Sequence, residues 1–202
     1  MQNELNKVRF SVKPLKSNDN KVVELARTVG IHPLAYQELP YDPEYSFYAG
    51  RLNPEVLSHA TADEMYWKVR QEVIFRHTGE HPYEISGPDA EKLLQKIFTR
   101  DISKVKVGRC SYQFACYNDG GMLTDGVLLK LEENKFWFVQ ADGDLFSWYK
   151  AHTDNLNVKI SDPDVWVSQI QGPKSMDLLK VLSKETFPDN WKYFDWKEIT
   201  IL

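Results

Sequence analysis

The stretch Met122-Leu123-Thr124-Asp125-Gly126-Val127-Leu128-Leu129 holds the residues of this sequence best placed to do chemistry. Read as a β-strand, whose successive side chains point to opposite faces, it sets Asp125 with Val127, Leu129 and Leu131. Thr124 then shares the other face with Gly126 and Leu128. A carboxylate on an apolar face must find hydrogen-bond donors or shift its pKa. Two readings stay open on this pattern alone. Asp125 is either a structural acid accepting from turn amides beside Gly120-Gly121, or an acid at a ligand pocket where Gly126 lets the ligand approach the backbone. A second candidate, His77-Thr78-Gly79-Glu80-His81, has the H-x-x-E-H spacing of an inverted zinc-protease site. That chemistry needs a helix to bring both imidazoles to one face, and Gly79 and Pro82 disfavour one. A loop running into a strand is expected there, and no metal site.

Other reactive patterns are missing. His32, His59 and His152 show no ligand spacing, Gly120-Gly121 stands without a dinucleotide or Walker context, and no G-x-S-x-G elbow occurs. Cys110 and Cys116 lie in one strand-like stretch, ~20 Å apart at ~3.3 Å per residue, too far to bridge.

The elements that must position these residues are legible from Thr61 onward. Thr61 with Glu64 has the spacing of a capping box, and Met65, Val69 and Val73 then mark one buried helical stripe. Tyr83 and Ile85 alternate as a strand before Gly87-Pro88, where proline suits the first position of a helix carrying Ala90, Leu93, Leu94 and Ile97 on one face. Strands are predicted over 109–117, 121–131 and 135–141, the first two joined by a tight turn at Asn118-Asp119-Gly120-Gly121. A helix over 143–153, strands over 156–160 and 165–171, and a helix from Gly172-Pro173 through Leu182 follow. The segments ISGPDAEKLL (85–94) and IQGPKSMDLL (170–179) echo each other. Together these features predict an α+β fold: an antiparallel sheet with helices packed on one face and internally duplicated strand–helix units. Residues 1–60 read as an arm with a short helix over 22–29 and an extended, Pro- and Tyr-rich wrap whose aromatics pack on the body. Residues 61–202 form the domain proper. Trp191 to Leu202 reads as two strand-like runs that stop without a polar tail, as in a chain cut short or paired with something else.

The 202 residues are 42% hydrophobic and 13% aromatic, which excludes a disordered chain. A net charge of −4 gives no broad basic surface for nucleic acid. No apolar run is long enough to span a bilayer, and the polar start lacks the apolar core of a signal peptide. The expectation is a reduced, cytoplasmic protein that binds neither nucleic acid nor membrane.

Taken in order, ISGPDAEKLL, Gly108-Arg109-Cys110-Ser111-Tyr112, NDGGMLTDGVLLKL (118–131) and IQGPKS (170–175) resemble the glycine cleavage T-protein (aminomethyltransferase) family. The likeness covers residues 61 to 200, the amino-terminal, folate-binding half of that family. Its tetrahydrofolate-dependent, dimethylsulfoniopropionate demethylase-like members are the most similar, through YWKVRQEV (66–73), TRDISKVKVGRCSY (99–112) and LLKLEENKFWF (128–138). The resemblance implies one-carbon transfer on tetrahydrofolate. It implies Thr124 and Asp125 as the catalytic pair, and Tyr112, Asp125, Gly126, Ala141 and Asp142 around the cofactor.

The family's Gly-Gly-x-x-Asp-Asp motif carries Thr124 here in place of its first Asp. Threonine offers no negative charge to a developing iminium, so methyl transfer or demethylation is expected in place of true aminomethyl transfer. Arg76 to Glu80 stand where the family has Asp-Val-Ser-His-Met. The expected partners are a small methyl or aminomethyl donor and a chain supplying the missing carboxyl-terminal half. The competing expectation is a truncated, non-catalytic module that binds folate or docks a protein through an open sheet edge.

Overall fold

The computed structural model describes residues 29–187 and 190–201. The loose arm expected over 1–20 lies outside the described residues, as does nearly all of the helix expected over 22–29. Residues 35–41 form two short 3-10 turns, and β1 (Pro43–Tyr48) and β2 (Arg51–Leu57) form an antiparallel hairpin. The prolines leave room only for these short turns, and the extended chain after them pairs with itself. Arg51, 3% exposed, explains how the hairpin is held, donating to the backbone oxygens of Glu80 and Val165 at 2.9 Å each.

Helix α1 (Ala62–Gln71) starts at the capping box: Thr61 Oγ1 accepts from the Glu64 amide at 3.2 Å, and the Glu64 carboxylate accepts from the Thr61 amide at 2.9 Å. Its expected stripe of Met65, Val69 and Val73 is only half-buried. The chain continues through β3 (Ile74–His77), β4 (His81–Ser86) and α2 (Ala90–Ile97). A meander of β5 (Cys110–Cys116), β6 (Met122–Glu132) and β7 (Lys135–Gln140) follows. It then forms α3 (Leu145–Ala151), β8 (Lys159–Ser161), β9 (Ser168–Gln171) and α4 (Ser175–Leu182). Five strands pair antiparallel in the order β5-β6-β7-β4-β8, and β3 pairs with β9. The covered face of the large sheet gives Ile85, Leu128, Phe136 and Phe138 to the core. Against them lie Ala90, Leu93, Leu94 and Ile97 of α2 and Leu145 and Tyr149 of α3.

The two echo segments adopt the same course, a strand turning into a helix at a positive-φ glycine, Gly87 (122°) and Gly172 (127°). Each is buttressed by backbone from the other half of the chain. A Cβ on Gly87 would lie 2.6 Å from the Asn157 oxygen, and one on Gly172 would lie 2.3 Å from the Glu72 oxygen. Of the strand-like runs expected over 191–202, the described residues 191–201 are instead irregular, with isolated bridges from Asp195 to Arg109 and from Ile201 to Ser183. Side chains hold this segment: Arg109 pairs with Asp195, and the Trp196 indole donates to the Lys130 oxygen at 3.2 Å. Among the described residues no helix is long and apolar enough to cross a membrane.

His77 and His81 sit on β3 and β4 and not on a helix, with Gly79 pressed against Tyr48 between them. His32 stacks on His77 at 4.4 Å. Its Nδ1 accepts from the Leu34 amide at 3.1 Å, which leaves the neutral ring's proton on Nε2, 3.3 Å from the Ser168 hydroxyl. Burial, then the neighbouring His77 and Arg51, lower its pKa from 6.5 to about 4. The unfolded chain therefore binds the extra proton first, so this contribution to stability is intact above pH 6.5 and is lost as the pH falls towards 4. Urea denaturation at pH 7.5 and pH 4.5 is expected to differ by about 2.5 kcal/mol from this residue. His32→Gln, which cannot titrate, should flatten that dependence.

Candidate functional site

Strand β5 is the edge of the large sheet, and its alternation sends Gln113 and Ala115 into the core while Tyr112 and Phe114 face outward. Phe114 is 39% exposed, and the two rings meet edge-on, 5.4 Å between centroids. Register sets Phe114 opposite Asp125, so Tyr112 is the diagonal neighbour of that acid and its hydroxyl donates to Asp125 Oδ2. This hydrogen bond, more than burial, raises the Tyr112 pKa, because losing the phenolic proton would set two negative charges together. The pair offers a carboxylate with further acceptor capacity, next to an exposed aromatic face.

The side chains of Thr124 and Asp125 point to opposite faces of β6, although the Thr124 hydroxyl also reaches the Asp125 carbonyl oxygen at 3.3 Å. Thr124 is 4% exposed on the covered face of β6, and its hydroxyl donates to the Asp142 carbonyl at 2.8 Å. The two expected catalytic residues thus lie on opposite faces, as the strand alternation implied, and the side chain that Asp125 pairs with is Tyr112. Gly126 also lies on the covered face. A Cβ there would sit 2.2 Å from the Val139 oxygen and 2.8 Å from the Phe138 ring. The close approach that Gly126 permits in this structure is that of β7. Ala141 is half-buried, with its amide donating to the Asp125 carbonyl at 3.0 Å. Asp142 is exposed, and its Oδ1 accepts from the amides of Ala49 and Gly143, both at 2.9 Å.

That contact brings in residues the sequence pattern did not single out. The tip of the β1–β2 hairpin is tied to the turn after β7, and its Tyr48 packs on Gly79. Burial, then the charges of Glu80, Asp142 and Asp125, raise the Tyr48 pKa. Glu80 takes a 3.2 Å hydrogen bond from Gln169 on one oxygen, while its Oε2 is buried without a partner among the described residues. Two phenols and three carboxylates thus converge around the outer end of β6. The signal for Tyr48 was thin: a tyrosine in a proline-rich stretch and a glycine, Gly79, across from it.

The model of the GCVT N-terminal domain matches residues 32–202, a span that takes in the hairpin as well as both sheets beyond it. The chain belongs to this family. Dimethylsulfoniopropionate demethylase of Ruegeria pomeroyi is 32% identical over 157 residues, covering 77% of this chain and 43% of that protein. An aminomethyltransferase of Symbiobacterium thermophilum is 30% identical over 115 residues, covering 53% of this chain and 30% of the relative. The trimethylamine-oxide aldolase of Ruegeria pomeroyi is 33% identical over 129 residues, 61% of this chain and 16% of that one. The chain therefore spans less than half the length of each of these relatives. The fold superposes on the glycine cleavage system aminomethyltransferase T of Bartonella henselae with a TM-score of 0.71 at 16% identity, over 83% of this chain and 46% of that one. The likeness confirms an α+β architecture with antiparallel sheets.

Proposed function

We propose that this GCVT-family chain forms the folate-binding wall of a one-carbon transferase that moves a methyl group from a cationic donor to tetrahydrofolate. The observation that carries this reading is the Tyr112–Asp125 pair beside the exposed Phe114 ring. A flat heteroaromatic ring with N–H donors fits such a face, because the ring stacks on Phe114 while the carboxylate accepts. Tyr112 and Asp125 would hold the cofactor, and tetrahydrofolate, when bound, supplies a nucleophilic N5 that accepts the one-carbon unit. Asp125 orients the N–H donors, and Tyr112 fixes the rotamer of Asp125 through its hydroxyl.

Methyl transfer is favoured over aminomethyl transfer by Thr124, which is uncharged, buried and committed to the Asp142 carbonyl. It offers no anion to a developing iminium. The carboxylates of Glu80, Asp125 and Asp142 around Tyr48 suit a methylated cation such as dimethylsulfoniopropionate. The remaining walls would come from a partner chain or from the portion of the relatives this chain does not span. The unpaired thiols of Cys110 and Cys116 go with a reduced, cytoplasmic setting. The test is anaerobic incubation of the chain with tetrahydrofolate and, in parallel, either dimethylsulfoniopropionate or an aminomethyl donor, followed by mass analysis of the folate. 5-Methyltetrahydrofolate is expected. Methylene-tetrahydrofolate formed from an aminomethyl donor, with no methylated product, would overturn it.

A further inference from the structure

The other end of the β1–β2 hairpin walls a separate cavity. Its tip, at Tyr48 and Ala49, touches the candidate site, while Pro54, Glu55 and Leu57 from its base line a cavity of about 560 Å³ closed by α1 and β3. A strand of six residues separates the two places by roughly 17–20 Å. The volume lies within the range of about 300–1,000 Å³ usual for small-molecule sites.

The polar groups of this wall are unevenly answered. Glu55 accepts from Ser46 at 2.6 Å and from Asn53 at 3.0 Å. Glu64 is held in the capping box, and Glu38 accepts from the Tyr45 hydroxyl at 3.1 Å and lies 2.9 Å from His77 Nε2. Arg76 differs. Its Nε is buried with no partner, its Nη2 reaches only the neutral Asn53 amide oxygen at 3.4 Å, and no carboxylate lies within 4.0 Å of it among the described residues. Glu55, on the far side of the shared Asn53 amide, acts on Arg76 only through space, and a guanidinium drawn into a wall with no direct anionic partner is costly unless an anion joins it. Tyr41 and Phe75, 50% and 44% exposed, supply apolar surface at the same cavity together with Met65 and Val73.

We propose that this cavity binds a small organic carboxylate, its acid paired with Arg76 and its apolar body laid against Tyr41, Met65 and Phe75. A planar carboxylate matches the guanidinium fork, and Glu38, Glu55 and Glu64 on the wall are each hydrogen-bonded to another protein donor and lie beyond direct pairing distance of it. The site is independent of the folate reading.

The probe is 4-phenylbutyrate, with 4-phenylbutyramide as its neutral counterpart, titrated calorimetrically into the 202-residue chain. Saturable 1:1 binding of the acid is expected, at least tenfold tighter than the amide. Arg76→Gln should erase that preference while leaving the weak affinity for the amide unchanged. Tyr41→Ala, at an exposed position that leaves folding intact, should weaken both probes at least threefold and keeps the test decisive if Arg76→Gln does not fold. Tyr112→Phe, at the other end of the hairpin, should change neither. Equal affinity for acid and amide, no binding of either, or loss of acid binding in Tyr112→Phe in place of Tyr41→Ala would each overturn the proposal.

Discussion

Gly126→Ala is expected to destabilise the fold by about 3 kcal/mol, at the upper end of what overpacking costs. The reason is backbone against backbone. A methyl on Gly126 would arrive 2.2 Å from the Val139 oxygen and 2.8 Å from the Phe138 ring, and Phe138 is fully buried. Neither neighbour can step aside, because β6 and β7 are hydrogen-bonded at this level and Phe138 packs on Phe98 at 4.6 Å. Gly121→Ala is the matched control, since its new Cβ would meet the exposed Asp119 carboxylate at 3.2 Å and the exposed Tyr117 ring at an ordinary 3.6 Å. For a chain of this size a loss of about 3 kcal/mol lowers Tm by roughly 6–12 °C. Thermal melts of the two variants side by side read the difference, and a Gly126→Ala melt matching wild type would mean β6 and β7 are not packed so closely.

The second large effect concerns ligand binding. Asp125→Ala is expected to weaken tetrahydrofolate binding about 100-fold, the value of a hydrogen bond to a charged group, and Tyr112→Phe about tenfold. Asp125 lies half-buried on the open face, so its loss should leave Tm near that of wild type. Asp125→Asn separates charge from shape: the Tyr112 phenol should then titrate closer to its ordinary value, because the carboxylate hydrogen bond that raises it is gone. Ultraviolet titration of the phenolate follows this directly. An unchanged Tyr112 titration in Asp125→Asn would show that the two side chains are not paired in solution.

The sequence pattern was most informative where structure is local. Thr61 and Glu64 announce their own hydrogen bonds, and the alternation through 122–131 correctly sends Thr124 and Asp125 to opposite faces. What alternation cannot say is which neighbour occupies a face. Gly126 reads equally well as room for a ligand or room for a strand, and only the β6–β7 pairing shows that a strand comes this close. Tyr48 was beyond reach for the same reason. Its place depends on an amide of Ala49 meeting Asp142, 93 residues away, and no local spacing encodes such a contact. At the other end, the β-prone residues of 191–201 lack a partner strand among the described residues, so propensity alone does not make them a sheet.

The most direct measurement of the folate reading is an anaerobic calorimetric titration of the 202-residue chain with tetrahydrofolate, repeated with Tyr112→Phe and Asp125→Ala. The expected result is a saturable 1:1 heat that both substitutions weaken, Asp125→Ala the more. No heat from a demonstrably folded chain, or binding that neither substitution alters, would contradict a folate site at the Tyr112–Asp125 face.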